Sequence, residues 1–285
     1  MESHKISTVA KSVVLENGLE LTYCEFGEQN EEVLLSGAFY FHTFTPVVEG
    51  LAKRYHVYGI VMRMDTKGPF TQFNADGTVN WDRQWGDDIY QFAKAMGIEK
   101  FHYAGKCHGV NPGWYMVKEH PEMLDTFASL YLVPHLCPRN ATKWIESMAG
   151  GIIEQTKLSI RHQERVPIKM AEIQTLATAA QQSPDDIKPD PNLVIYPDSP
   201  QLLWDNLEEC EEAMRNVNVP ILLMFGTEDI LFNDYFDSNI KAMQIIPRAK
   251  TVLLQGERHL LEMDCAERMV SEIIFFIDES RKNYD

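Results

Sequence analysis

Cysteine is scarce in this chain of 285 residues: five residues, Cys24, Cys107, Cys137, Cys210 and Cys265, with no C-x-x-C pair among them. An odd, scattered set argues against a disulfide framework or a structural zinc site and is expected of a reducing, cytoplasmic setting. Bases are few as well. Twenty-six Lys and Arg face 42 Asp and Glu, a formal net charge of -16. Such a surface repels phosphate backbones and anionic lipid, so neither nucleic acid nor membrane is an expected partner. No apolar run nears the roughly 18 residues of a membrane span. The start, Met1-Glu2-Ser3-His4-Lys5, lacks the basic-then-apolar run of a secretory leader. His42, His56, His102, His120 and His135 show no i, i+4 or H-x-H pairing, so no metal is expected and no cofactor is called for. Apolar residues make up 45% of the chain, ample for the core of one large domain.

What is present is an alternation. Val13 to Leu15 and Leu19 to Phe26, hinged at Asn17-Gly18, read as a β-hairpin, because Asn-Gly suits a turn that needs positive φ. Val33 to Leu35 reads as a buried strand stopped at Ser36-Gly37, Pro46 to Tyr55 as a helix, and His56 to Met62 as a strand. A helix over Trp81 to Met96 ends at Gly97. A strand over Phe101 to Ala104 runs into Gly105, a helix covers Val110 to Glu119, and a strand covers Phe127 to Val133. Strand and helix in turn argue for a parallel sheet covered on both faces.

From Pro134 to Val217 the rhythm breaks into helical patterns punctuated by prolines. Ser199 and Pro200 suit the start of a helix with Leu203, Leu207, Cys210 and Met214 on one face. The alternation resumes with a strand at Pro220 to Phe225, a helix at Asn239 to Met243, a strand at Thr251 to Leu254 and a helix at Ala266 to Ile277. A helical insert inside one α/β pattern reads as a lid over 135–215, with 1–134 and 216–285 forming the core.

The sharpest local signal is Gly105-Lys106-Cys107-His108-Gly109, between a strand and a helix. Glycines flanking a central residue suit a tight turn in which side chains at those positions would strike the adjoining strand and helix. Unpaired N–H groups at the helix start favour a thiolate there. Downstream, a buried strand ends in Gly226-Thr227-Glu228-Asp229, and another ends in Gly256-Glu257-Arg258-His259. Nucleophile, acid and histidine occur in that order, each just past the C-terminal end of a strand, where open α/β sheets place their sites.

In these motifs the sequence resembles the α/β-hydrolase superfamily from about Val13 to Ile277, with cysteine in the elbow position usually held by serine. Cysteine occurs there in dienelactone hydrolases and polyhydroxyalkanoate synthases. The resemblance implies a mostly parallel eight-stranded sheet flanked by helices, with the lid inserted after the sixth strand. It implies that Cys107 attacks a carbonyl, His259 takes its proton, and Asp229 fixes the imidazole tautomer. Glu228 and Asp234 are rival acids whose spacing fits less well. The backbone N–H of His108 becomes one oxyanion donor. The second is sought in the loop after the third strand, where the family's usual His-Gly-x is replaced by Ser36-Gly37-Ala38-Phe39; Ala38 N–H is the first choice and Phe39 the second. Phe39, Tyr40, His42 and His135 are the residues placed at the pocket.

The reading that follows is a hydrolase of an ester, lactone, thioester or activated ketone of a small organic molecule, through a thioester on Cys107. An acyltransferase would use the same intermediate. A cofactor-free lyase would need only the histidine and acid, and a ligand-binding protein would have lost the chemistry although all three residue types are kept. A homo-oligomer is left open.

Overall fold

The computed structural model describes residues 10–38, 45–63, 67–75, 77, 79–134, 136, 203–204, 206–227, 233–257 and 265–284. Eight strands, β1 (Lys11–Val14), β2 (Glu20–Phe26), β3 (Val33–Ala38), β4 (His56–Val61), β5 (Phe101–Lys106), β6 (Leu124–Leu130), β7 (Ile221–Gly226) and β8 (Ala249–Leu254), form one sheet. Its order is β1-β2-β4-β3-β5-β6-β7-β8. Only the β1–β2 and β2–β4 pairings are antiparallel, and every pairing from β4 through β8 is parallel. The alternation anticipated a parallel sheet, and eight strands, most of them parallel, are what the resemblance implied. The hairpin turns at Gly18, whose φ of +88° is the left-handed value that the Asn-Gly pair anticipates.

Helices α1 (Thr45–Leu51), α2 (Trp81–Ala95), α3 (Val110–Glu119), α4 (Leu207–Arg215), α5 (Asn233–Ile245) and α6 (Ala266–Tyr284) accompany the strands. Side chains alternate across a strand, and β5 shows which helices cover which face. Tyr103 points toward Phe127, which meets the Trp114 ring of α3 edge-on at 5.1 Å. His102, its neighbour, points the other way and meets Tyr55, just beyond α1, at 5.6 Å. On that second face α1 lies against α6, where a Cβ added at Gly50 would come within 2.6 Å of Val270. Because both faces are covered, β7 (Ile-Leu-Leu-Met-Phe-Gly) is buried at every position.

Two expectations need correction. The strand read over Phe127 to Val133 runs instead from Leu124 to Leu130, because the chain turns at Tyr131 with φ +81°. Apolar residues continue to Val133, buried but outside the sheet, so hydrophobicity overshot the hydrogen-bonded segment. The helix expected to carry Leu203 begins only at Leu207, where the Asn206 side chain accepts from Glu209 N at 2.9 Å and caps it. Ser199 and Pro200 lie outside the described residues, as does most of the proposed lid. Cys210 and Met214 of α4 are fully buried in the main core.

Between α2 and α3 lies a buried polar pair, Asp82 and Asn111. Asp82 is completely buried and accepts from the Asn111 amide, while its other oxygen has no partner among the described residues. Burial pushes its carboxyl well above the usual range, the Asn111 bond only partly opposing this. A carboxyl that keeps its proton in the folded state loses stability as pH rises from the unfolded value through the folded one, by up to about 1.4 kcal/mol per pH unit. Asp82→Asn is therefore expected to flatten the decline in denaturant stability between acidic and neutral pH. Parallel curves for the two proteins would refute this.

Candidate active site

The elbow is built by backbone strain and by missing side chains. β5 runs straight to Lys106, in extended conformation at φ -115°, ψ 142°. Cys107 then turns to φ +48°, a left-handed value that a β-substituted residue rarely adopts. A single 3₁₀ turn over Cys107–Gly109 leads directly into α3. The two flanking glycines are required by close approach. A Cβ on Gly105 would lie 2.1 Å from the carbonyl oxygen of Gly109, and one on Gly109 would lie 2.2 Å from that of Gly37. Cys107 is thus the residue of the turn held in a strained conformation at the start of a helix, half-buried at the C-terminal edge of the sheet.

The Sγ of Cys107 lies 3.3 Å from the Nδ1 of its neighbour His108. An imidazole touching the thiol was not anticipated from the motif, where His108 counted only for its backbone N–H. The signal was in plain sight as the fourth residue of the pentapeptide. β3 arrives beside the elbow at its C-terminal end, where a Cβ on Gly109 would fall 2.2 Å from the Gly37 carbonyl oxygen, and Ala38 is the last residue of that strand.

Asp229, His259, Phe39, Tyr40, His42 and His135 lie outside the described residues, as do Glu228 and Cys137. The strands that precede Asp229 and His259 in the chain lie side by side. β7 and β8 are parallel neighbours with Gly226 opposite Leu254. Beyond them Thr227 N donates to Leu254 O at 3.1 Å, and Gly256 N donates to the Thr227 hydroxyl at 2.9 Å. These bonds tie the two segments together just where the chain sets off toward Asp229 and His259.

A groove of about 830 Å3 opens at the opposite end of the sheet, lined among others by Val33, His102, Thr126, Arg248 and Arg281. It mixes both signs of charge, with Arg281 paired to Glu32 at 2.5 Å. His102 sits five residues of extended strand below Cys107, about 16 Å away, so this groove is separate from the elbow. Among the described residues no three His, Cys, Asp or Glu are grouped to hold a metal ion, and no helix is long and apolar enough to cross a membrane.

No family model matches the chain, and no curated protein matches it in sequence. Among solved structures it is similar to a meta-cleavage product hydrolase from Pseudomonas fluorescens, with a TM-score of 0.69 and 16% identity over 95% of this chain and 98% of that one. It is also similar to a carboxylesterase from Bacillus subtilis, with a TM-score of 0.62 and 15% identity over 96% and 92% of the two chains. A membrane phospholipase A from a bacterium, a virulence factor, superposes with a TM-score of 0.63 and 20% identity over 96% and 87%. At such identities the likeness establishes the arrangement of strands and helices, and that arrangement is the one shared by all three.

Proposed function

We infer, from the α/β-hydrolase fold and from Cys107 at its strained elbow, that this protein is a hydrolase acting on an ester, lactone, thioester or activated ketone of a small organic molecule. One observation carries the reading: Cys107 is held at φ +48° between glycines that have no room for a Cβ. A turn that costs backbone strain and fixes two glycines makes sense where it presents a reactive side chain. The similarity to a carboxylesterase and a meta-cleavage product hydrolase supports the same class.

In this reading the Cys107 thiolate adds to the substrate carbonyl. The C=O electron pair moves to oxygen, where the N–H groups of His108 and Ala38 receive it. Collapse breaks the bond to the leaving group, which takes its proton from His259, and water then cleaves the thioester. Asp229 orients His259. β7 and β8 stand two and three strands from β5, about 10 and 14 Å away at ordinary strand spacing, within reach of short loops and two side chains. The stretch of the expected 135–215 lid that precedes α4 would close the pocket over a small substrate, whereas α4 itself packs in the main core.

Intact-mass measurement after mixing with activated esters, thioesters and lactones tests the reading. A covalent gain equal to the acyl group, located on Cys107 by peptide mapping, is the expected result. Its absence with every compound, despite turnover, would remove the covalent mechanism.

Thiol chemistry gives a second expectation that needs no substrate. Burial pushes the Cys210 thiol up to about 12, with Glu209 and Glu211 adding to it, and burial also raises the Cys24 thiol. Both should therefore be almost without thiolate at neutral pH. Limiting iodoacetamide is expected to label Cys107 first, with Cys24 and Cys210 last. His259→Ala is expected to slow the labelling of Cys107 by roughly tenfold, the effect of about one unit in thiol pKa. Labelling of Cys24 or Cys210 ahead of Cys107 would contradict the assignment.

A further inference from the structure

The end of β3 is held to the elbow by a side chain, not by a sheet ladder. β3 pairs with β4 along its full length, from Val33 opposite His56 to Ala38 opposite Val61. Against β5 the pairing stops at Leu35 opposite Tyr103. Beyond that point β5 prepares to turn at Cys107, and the Gly37 amide meets no β5 carbonyl. It donates instead to the Tyr103 hydroxyl at 3.2 Å, and that hydroxyl donates onward to the Gly109 carbonyl at 2.8 Å. Tyr103 is 1% exposed, so water does not compete for either bond. Burial raises its phenol far above the ordinary value, which keeps the proton on oxygen and available to Gly109.

The three groups are in near contact. A Cβ on Gly37 would fall 2.8 Å from the phenol oxygen, and a Cβ on Gly109 would fall 2.2 Å from the Gly37 carbonyl oxygen. Gly37 precedes Ala38, and Gly109 follows His108. The phenol therefore bonds the immediate neighbours of both residues whose N–H groups the mechanism uses as oxyanion donors.

We propose that Tyr103 is a positioning residue that sets the separation of the two halves of the oxyanion hole, the Ala38 N–H at the end of β3 and the His108 N–H in the elbow. This rests on the reading of Cys107 as the acylated nucleophile. Two donors stabilise a developing oxyanion only if both reach the same oxygen at about 2.7–3.1 Å. A strand end that drifts by a fraction of an ångström leaves one of them idle. In Tyr103→Phe the ring still packs against Phe127 and Gly113, but the Gly37 N–H and the Gly109 C=O lose their shared partner. The strand end and the elbow are then free to separate.

Two reactions at the same sulfur separate positioning from mere support of the elbow. With p-nitrophenyl acetate the sulfur forms a bond to the acetyl carbon, the C–O bond to p-nitrophenolate breaks, and negative charge passes through the carbonyl oxygen. With iodoacetamide the sulfur displaces iodide at a saturated carbon, and no oxyanion forms. Both rates are measured on Tyr103→Phe and on the unaltered protein, normalised to the folded fraction from a thermal melt so that partial unfolding does not mimic the effect. The expected result is acylation of Cys107 slowed about ten- to a hundredfold, with alkylation and the KM for the ester changed by less than about twofold. Acylation and alkylation falling together would overturn the proposal, because the elbow itself would have moved. Unchanged acylation would overturn it as well. If the unaltered protein is alkylated at Cys107 but never acylated there, the nucleophile reading fails first and takes this proposal with it.

Discussion

Cys107→Ala is expected to lower turnover of any ester substrate by at least about a thousandfold, because removing the nucleophile of an acyl-transfer triad leaves only oxyanion binding and orientation. The substitution removes only the Sγ of a half-buried residue, so the loss should appear without loss of fold. Cys107→Gly sharpens the point. Residue 107 sits at φ +48°, and a side chain in that region costs roughly 1–2 kcal/mol that glycine avoids. Cys107→Gly should therefore be at least as stable as the parent, within the entropy that glycine loses on folding, while being equally inactive. A protein made no less stable by removing its reactive residue is the expected signature of strain kept for function. Substantial turnover by Cys107→Ala would instead favour a reaction that uses His259 and Asp229 without an acyl-enzyme.

Gly105→Ala is expected to be among the most damaging single-methyl changes in the molecule. The added carbon would stand 2.1 Å from the Gly109 carbonyl oxygen and 2.8 Å from the Val110 Cα, both backbone atoms at the start of α3. Neither can swing aside as a side-chain tip would, so the elbow must open or the helix must shift. We expect a loss of about 3 kcal/mol, the upper part of the usual range for overpacking a tight site, together with loss of Cys107 acylation. Gly97→Ala is the control. Gly97 closes α2 at φ +69° but has nothing within 4 Å of its missing Cβ, so it pays only the left-handed penalty of about 1 kcal/mol and should keep activity. Equal losses in stability and activity for the two variants would mean that close packing at the elbow is not what the glycine serves.

Much of this protein could be read along the chain. The alternation of apolar strands with amphipathic helices is a local periodicity, and it yields the parallel sheet. Asn17-Gly18 announces a turn because few other residue pairs take its backbone angles. Gly105 and Gly109 around Cys107 announce the elbow, since only a close approach of main chain to main chain demands glycine at both places. That strands end shortly before Cys107, Asp229 and His259 was equally legible, and β5, β7 and β8 do end there.

Other features depend on which distant segments meet. Leu130 to Val133 is uniformly apolar, so nothing in its pattern told that the sheet ends at Leu130 and the chain turns at Tyr131. Asp82 falls in line with Trp85, Ile89 and Phe92 on the apolar face of α2, but only the packing of α2 on α3 brings Asn111 to it as a partner. Tyr103 reads as a core aromatic in a strand, yet its hydroxyl reaches past the last β3–β5 pair to bridge Gly37 and Gly109. The sequence by itself determined the periodicities and the glycine positions, because backbone angles and strand or helix spacing are settled within a few residues. Tertiary structure alone decided which polar groups lose water and whom they then must bond, because burial belongs to the assembled layers and not to any one segment of chain.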